Sequence, residues 1–221
     1  MPERRTAGSS AGTARAGSSE LAAAPLTGAD IADPGPLGLA AFAMTTFVLS
    51  VFNAGILPHS LEPSVLGLAL FYGGGAQFFA GMWEFRKGNT FGALAFSSFG
   101  AFWLSFWFYV ARIAPSLPPA DAHKATGLFL LGWTIFTAYM TIASLRTTGA
   151  IAAVFVALTL TFLFLTIGAF ADASGITKVG GYLGLLTALL AWYASFAGVT
   201  NSTFRRAVLP TFPLAPATDR P

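Results

Sequence analysis

Long apolar stretches alternate with short polar clusters along most of the chain, and the clusters hold the charge. From Leu37 to Thr200 there are only ten charged residues. Glu62 stands between the first and second stretches; Glu84, Arg86 and Lys87 gather between the second and third. Arg112, Asp121 and Lys124 come next, then Arg146, then Asp172 and Lys178. The apolar stretches run over Leu37–Leu57, Val65–Phe85, Phe91–Ile113, Gly127–Leu145, Ile151–Ala171 and Val179–Val199. Each holds about twenty residues, enough to cross a hydrocarbon core as a helix. A charge near the bilayer centre costs at least about 2.5–3.5 kcal/mol on insertion scales, and none lies deep inside a stretch. Apolar runs in soluble α/β proteins are strand length and alternate with polar helix faces, so they do not fit. The pattern predicts an all-α membrane protein with six transmembrane helices.

The flanks differ in kind. Residues 1–33 are rich in Ala, Gly, Ser and Thr with scattered charge, a composition that cannot offset its chain entropy, and are expected to be a disordered cytoplasmic tail. Arg4-Arg5 is followed by no hydrophobic region, which argues against a cleaved targeting peptide. Residues 34–204 form the expected six-helix domain. Residues 205–221, punctuated by Pro210, Pro213, Pro216 and Pro221, are expected to be an irregular cytoplasmic tail. Pro36 suits the first turn of a helix, Pro58 and Pro63 bracket the first loop, and Pro115, Pro118 and Pro119 break the chain after the third span. Basic residues then set the orientation. Arg4, Arg5, Arg15, Arg86, Lys87, Arg146, Arg205, Arg206 and Arg220 fall on one side, and Arg112, Lys124 and Lys178 on the other. Nine against three places both termini in the cytoplasm, and an even number of spans requires the termini to share a side.

Composition agrees: 55% of the 221 residues are hydrophobic and 10% charged, against about a quarter charged in soluble domains. The net charge of +3 and pI near 9.5 come from basic residues scattered at segment ends, a mark of topology and not of nucleic-acid binding. Cysteine is absent, which excludes disulfides and thiolate metal sites. Enzyme signatures are missing as well. His59-x-x-Glu62 has metal-ligand spacing, yet two ligands are too few, and His123 is the only other histidine. No glycine-rich phosphate loop and no nucleophile–base pattern occurs, so neither catalysis nor a metal or cofactor is expected.

The spans do carry small and neutral polar residues. Gly73-Gly74-Gly75 points to a close helix crossing, and Gly180, Gly184 and Ala188 form a small-residue face that invites helix–helix contact and is expected to serve assembly. Trp83, Trp107, Tyr109 and Tyr182 lie near span ends as interfacial anchors; Trp103, Trp133 and Trp192 lie deeper, where core packing or a path lining are both open. On the first helix Phe42, Thr46, Leu49, Ser50 and Asn53 share a face. Gln77 lies mid-span in the second helix, and Ser97 and Ser98 in the third. A buried amide needs partners, so Asn53 and Gln77 either glue helices together or meet a polar solute.

Local sequence narrows the choice. Asp33-Pro34-Gly35-Pro36-Leu37-Gly38-Leu39 resembles the NPAPLGL signature of the acetate uptake transporter family, acetate and succinate transporters of bacteria and fungi. The likeness continues through Phe42, Met44-Thr45-Thr46, Asn53-Ala54-Gly55, Phe71-Tyr72-Gly73-Gly74, Ala76-Gln77 and Phe79-Ala80-Gly81. It then takes in Glu84, Lys87 to Gly92, Ser98-Phe99-Gly100, Phe102-Trp103-Leu104, Asn201, Phe204, Arg206 and Val208-Leu209-Pro210, covering about residues 33–210. The resemblance implies a plasma-membrane protein assembled as a hexamer, each protomer holding one permeation path. It implies an apolar constriction at Phe42, Phe99 and Leu158, with Thr45, Thr46, Asn53 and Gln77 meeting a carboxylate. Two positions depart from the family pattern: Asp33 replaces an Asn and suits a helix start, and Phe99 stands where relatives often carry Tyr.

Physical reasoning alone points the same way. With no Lys, Arg, Asp, Glu or His in mid-span, a bound anion would meet only neutral dipoles, and the usual proton-relay residues are missing. If uptake is coupled to protons, the simplest proton carrier is the substrate, because a neutral acid loses far less hydration than an anion at an apolar neck. A channel for a neutral solute such as urea or an amide would use the same neutral donors. A membrane sensor without transport is the third possibility, disfavoured by short, featureless tails.

Overall fold

The computed structural model describes Met1 and residues 31–214; the expected N-terminal tail and residues 215–221 lie outside the described residues, apart from Met1 and 31–33. Six helices are long and apolar enough to cross a membrane: α1 (Gly35–Asn53), α2 (His59–Lys87), α3 (Thr90–Ser116), α4 (Ala122–Ser144), α5 (Gly149–Phe170) and α6 (Ser174–Phe204). Among the described residues the only β pairing is an isolated bridge between Thr148 and Pro213. The chain is a multi-pass, all-α membrane protein, as its hydropathy predicts.

Local chemistry sets the helix ends. Pro36 sits in the first turn of α1 as expected, and the Asp33 carboxylate accepts the Gly35 N–H at 3.0 Å while holding the Lys87 ammonium at 2.8 Å. Gly55 (φ 72°) turns the chain after α1, and Gly88 (φ 82°) ends α2 in a left-handed conformation open to glycine. Asn89 caps α3 by accepting the Gly92 N–H at 3.1 Å, and Thr148 caps α5 by accepting the Ile151 N–H. Helices extend past the expected limits where the apolar run stops but nothing breaks the backbone. α6 reaches 31 residues and ends only where Arg205 turns left-handed.

The helices form a ring in which α1 packs on α6, α6 on α5, α5 on α4, α3 on α2, and α2 on α1. The α3–α4 seam is different: few backbones approach there, and aromatic rings span the gap. Phe102 stacks on Phe129 at 5.9 Å, Tyr109 on Phe129 at 5.4 Å, and Phe99 meets Phe136 edge-on at 5.3 Å. Threonine pairs join the other side: Thr134–Thr166 and Thr141–Thr159 between α4 and α5, Thr161–Thr187 between α5 and α6.

The triple glycine fulfils its expected role. It lies in a π-helical turn, Phe71–Ala76, within α2. A Cβ on Gly73 would stand 2.5 Å from Thr45 Oγ1 of α1, and one on Gly74 2.7 Å from Leu104 of α3, so two of the three admit close neighbours. The Gly180–Gly184–Ala188 face is used inside the protomer. Gly180 meets Leu165 of α5, Gly184 meets Ser50 of α1 and Thr161 of α5, and Ala188 is fully buried. This face is therefore unavailable to a second copy, a correction to its expected use in assembly.

The segment after α6 is also more fixed than expected. It has no regular structure, yet Asn201 accepts the Val208 and Leu209 N–H groups and donates to Leu209 O. Gly149 N–H reaches Phe212 O at 2.6 Å and Leu214 N–H reaches Thr147 O at 3.0 Å, which ties residues 211–214 under the start of α5. The described part of the expected tail is thus a strap across one end of the bundle.

Candidate permeation path

Two cavities enter the ring from opposite ends. One, of about 310 Å³, opens at the end that carries Asp33, Lys87, Asn89, Thr147, Thr148 and Thr211. The other, of about 510 Å³, opens among the loops of the opposite end and is bordered there by His59, Glu62, His123, Asp172 and Lys178. Phe42 and Leu158 border both cavities, and Phe99 borders the smaller one. All three are at least 95% buried and belong to one apolar cluster, with the Phe42 and Phe99 rings 5.8 Å apart. The three residues expected to form a neck therefore meet where the two cavities approach each other.

The expected polar residues are divided. Gln77 borders the smaller cavity, whereas Thr46 and Asn53 border the larger. Thr45 borders neither. Its hydroxyl donates to Ala41 O at 2.9 Å and its side chain is wedged under Gly73, so it packs helices together. The signature residues surround the smaller cavity's mouth: Asp33, Pro36 and Leu39 line it, Pro34 and Gly38 are buried, and Leu37 faces outward.

The structure adds residues that the sequence did not single out. Glu84, grouped by sequence with a loop cluster, is 1% exposed in the last turn of α2 and lines the smaller cavity. Its carboxylate accepts from Asn89 Nδ2 at 2.9 Å, and Gly35 and Gly92 leave room for it beside α1 and α3. Asn89 thus caps α3 and pairs Glu84 with one side chain. The signal was present as Glu84, Asn89 and Gly92 in close succession, but an acid beside Arg86 and Lys87 reads as solvated loop. Both histidines border the larger cavity, although they come from the first turns of different helices, α2 and α4. His59 Nδ1 and a Glu62 carboxylate oxygen lie 3.0 Å apart. Among the described residues no group of three His, Cys, Asp or Glu side chains is placed to hold a metal.

Buried polar atoms in the spans are mostly satisfied within the protein. Among the described residues four have no hydrogen-bond partner in the protein: Thr46 Oγ1, Gln77 Oε1, Ser97 Oγ and Trp103 Nε1. Ser97 lies against Gly81, in the α2–α3 contact. The other three belong to side chains that border a cavity. The candidate path is thus apolar where the two cavities approach, has neutral polar atoms without a protein partner on side chains that border the cavities, and, among the described residues, is bordered by ionisable groups only toward its mouths.

Known proteins share this architecture. The chain is 38% identical to a solved structure described as that of the bacterial acetate channel SatP, with a TM-score of 0.77 over 82% of this chain and 99% of that one. It is 40% identical to the succinate-acetate/proton symporter SatP of Escherichia coli K12, over 81% of this chain and 95% of that protein. It is 43% identical to the ammonia transport outward protein 2 of Saccharomyces cerevisiae, over 82% of this chain, and spans 65% of the yeast protein's length. The sequence profile of the GPR1/FUN34/yaaH family matches residues 15–216, and the chain belongs to that family.

Proposed function

We propose that this protein moves acetate and related short carboxylates, such as succinate, propionate and lactate, across the plasma membrane through a path inside each protomer. The observation that carries the reading is the buried neck of Phe42, Phe99 and Leu158 between two cavities, with unpaired neutral polar atoms close by. A two-carbon carboxylate fits such a path: it needs few polar contacts and its methyl group tolerates apolar walls. Gln77 Oε1 is a buried acceptor without a donor, and the O–H of a neutral acid supplies one. This favours passage of the neutral acid, or of anion and proton together, over a bare anion that would lose its hydration at the neck. The identities to the acetate channel and to the succinate-acetate/proton symporter support the same substrate class.

The proposal includes a hexameric assembly and an orientation. Arg86, Lys87, Arg146, Arg205 and Arg206 gather at the end of the bundle that holds the smaller cavity, which the positive-inside rule places in the cytoplasm together with both termini. Residues 34–204 then form the membrane domain, and no catalytic step is assigned. A neutral solute is the competing cargo, favoured by the same uncharged path and by the likeness to a protein named for ammonia transport. Labelled acetate and urea flux into proteoliposomes at two pH values separates them. Saturable acetate uptake that rises at the lower pH is expected; urea or ammonia flux without acetate flux would overturn the reading.

A further inference from the structure

Among the described residues, Asp33, Glu84 and Lys87 are the ionisable side chains on the smaller cavity. Asp33 and Lys87 are partly exposed and hold each other at 2.8 Å. Glu84 is 1% exposed. Burying an ionisable group is costly unless its charge or its proton is put to use.

Asn89 fixes the Glu84 carboxyl group without needing its charge. Asn89 Oδ1 accepts the Gly92 N–H at 3.1 Å, which leaves Asn89 Nδ2 to donate to Glu84 Oε2 at 2.9 Å. A glutamine at this position would accept that bond equally well, so the cap of α3 does not explain an acid. Glu84 Oε1 lies in the space that two glycines leave open. A Cβ on Gly35 would stand 3.5 Å from it, and one on Gly92 3.1 Å. Asp33 and Lys87 are the charged groups beside it, while α3, α5, α6 and the strap present only neutral side chains to this cavity.

Two polar side chains of α2 follow each other along the cavity. Gln77 and Glu84 are seven residues apart on one helix face, about 10 Å along the axis. Both are 1% exposed and both line the smaller cavity, with Lys87 one turn further toward the mouth. A solute that has passed Phe42, Phe99 and Leu158 meets Gln77 and then Glu84 on its way out.

We propose that Glu84 is the proton acceptor of the path. A short carboxylic acid that has crossed the neck in neutral form gives its proton to the Glu84 carboxylate and leaves as the anion. The O–H bond of the acid breaks and an O–H bond forms on Glu84. The proton then passes to water at the cavity mouth, which restores the carboxylate. Donor and acceptor are the same functional group, the kind of match that favours proton transfer. The assignment rests on the function and orientation proposed above and adds the step that unloads the proton on the cytoplasmic side.

The test is the initial rate of labelled acetate uptake into right-side-out membrane vesicles, corrected for vesicles without the protein. The outer pH is fixed and the inner pH varied from about 4 to about 8, the range over which carboxyl groups titrate in proteins. Glu84 must be ionised to accept, so the wild-type rate rises with inner pH. Glu84→Gln keeps the size of the side chain and the bond from Asn89, and lacks the proton site. Its rate at high inner pH falls at least about tenfold, since a positioned base contributes about 10²–10⁴ where proton transfer limits the rate. That rate no longer changes with inner pH, whereas Glu84→Asp keeps the dependence with a displaced midpoint. A folded Glu84→Gln that keeps the wild-type dependence, slow or fast, marks a packing role and overturns the proposal. If Glu84→Gln yields no folded protein, the Glu84→Asp profile decides, and an undisplaced midpoint overturns it. A wild-type rate indifferent to inner pH overturns it without any variant and leaves acetate transport standing. A wild type that moves no acetate overturns both.

Discussion

Shortening Leu158 to Ala separates a neck from a core by sign. Leu158 is 3% exposed and borders both cavities, so its side chain lies on the boundary between them. Removing three carbons forfeits about 2.4 kcal/mol of apolar burial, at about 0.8 kcal/mol per methylene. A sealed void would add about 24 cal/mol per Å³, but here the freed space joins cavities that already exist, so little is added. The expected loss therefore falls at the lower end of the usual range of about 2–5 kcal/mol, which a folded protein can survive. Transport changes in the other direction. A wider neck lowers the barrier for bulky carboxylates more than for acetate, and a difference of about 1.4 kcal/mol is a tenfold change in rate. Initial rates of labelled acetate and succinate uptake, normalised to folded protein, give the ratio directly. A rise of about tenfold in succinate relative to acetate is expected. Normal yield with an unchanged ratio would refute the assignment of Leu158 to the neck, and a low yield with an unchanged ratio would mark it as a core residue.

Gln77→Leu keeps the bulk of a buried side chain and removes an unpaired acceptor, so acetate flux should fall about tenfold while the thermal midpoint holds or rises, as differential scanning fluorimetry would show. Asn89→Ala removes the cap of α3 and the side-chain partner of buried Glu84. The two losses, about 1 kcal/mol for a cap and about 1.5–3 kcal/mol for a bond to a charged group, should lower the midpoint clearly, and Asn89→Asp should not rescue it because two carboxylates would then face each other. Gly181→Ala places a Cβ 2.5 Å from the Asn53 carbonyl carbon, a backbone contact that no rotamer relieves. It should destabilise the protomer itself, and a variant that only dissociates the oligomer at wild-type midpoint would show that the α6 face lies between copies.

The membrane class and the six helices were legible because charge placement alone determines them: no mid-span position tolerates an uncompensated charge. The positions proposed for the neck came from family likeness alone, and the ring brings Phe42, Phe99 and Leu158, far apart in sequence, into one buried cluster. Other features were hidden for physical reasons. A small-residue stripe marks close contact without naming the partner, so Gly180 and Gly184 read equally well as an internal or an external face. An acid next to Arg86 and Lys87 reads as loop, yet the last turn of α2 still lies inside the ring, and Gly35 and Gly92 open the space that buries Glu84. Polarity alone did not sort Thr45 from Thr46. Adjacent helical residues point about 100° apart, and only the positions of Gly73 and the larger cavity decide which side chain packs and which borders the cavity.

If the proposed path is used, the signature segment acts on it through placement. Asp33 ties the start of α1 to Lys87 at the end of α2. Ser195 of α6 donates to Pro36 O at 2.7 Å, and a Cβ on Gly38 would stand 2.6 Å from the Phe96 ring of α3. Four helices therefore meet around seven residues, and Phe42 follows Gly38 by one helical turn. A shift of α1 at this node moves Phe42 relative to Phe99 and Leu158, which α3 and α5 hold in place. An apolar neck limits flux by its width, so packing at the mouth would govern the proposed constriction even though Phe42, Phe99 and Leu158 lie deeper in the bundle.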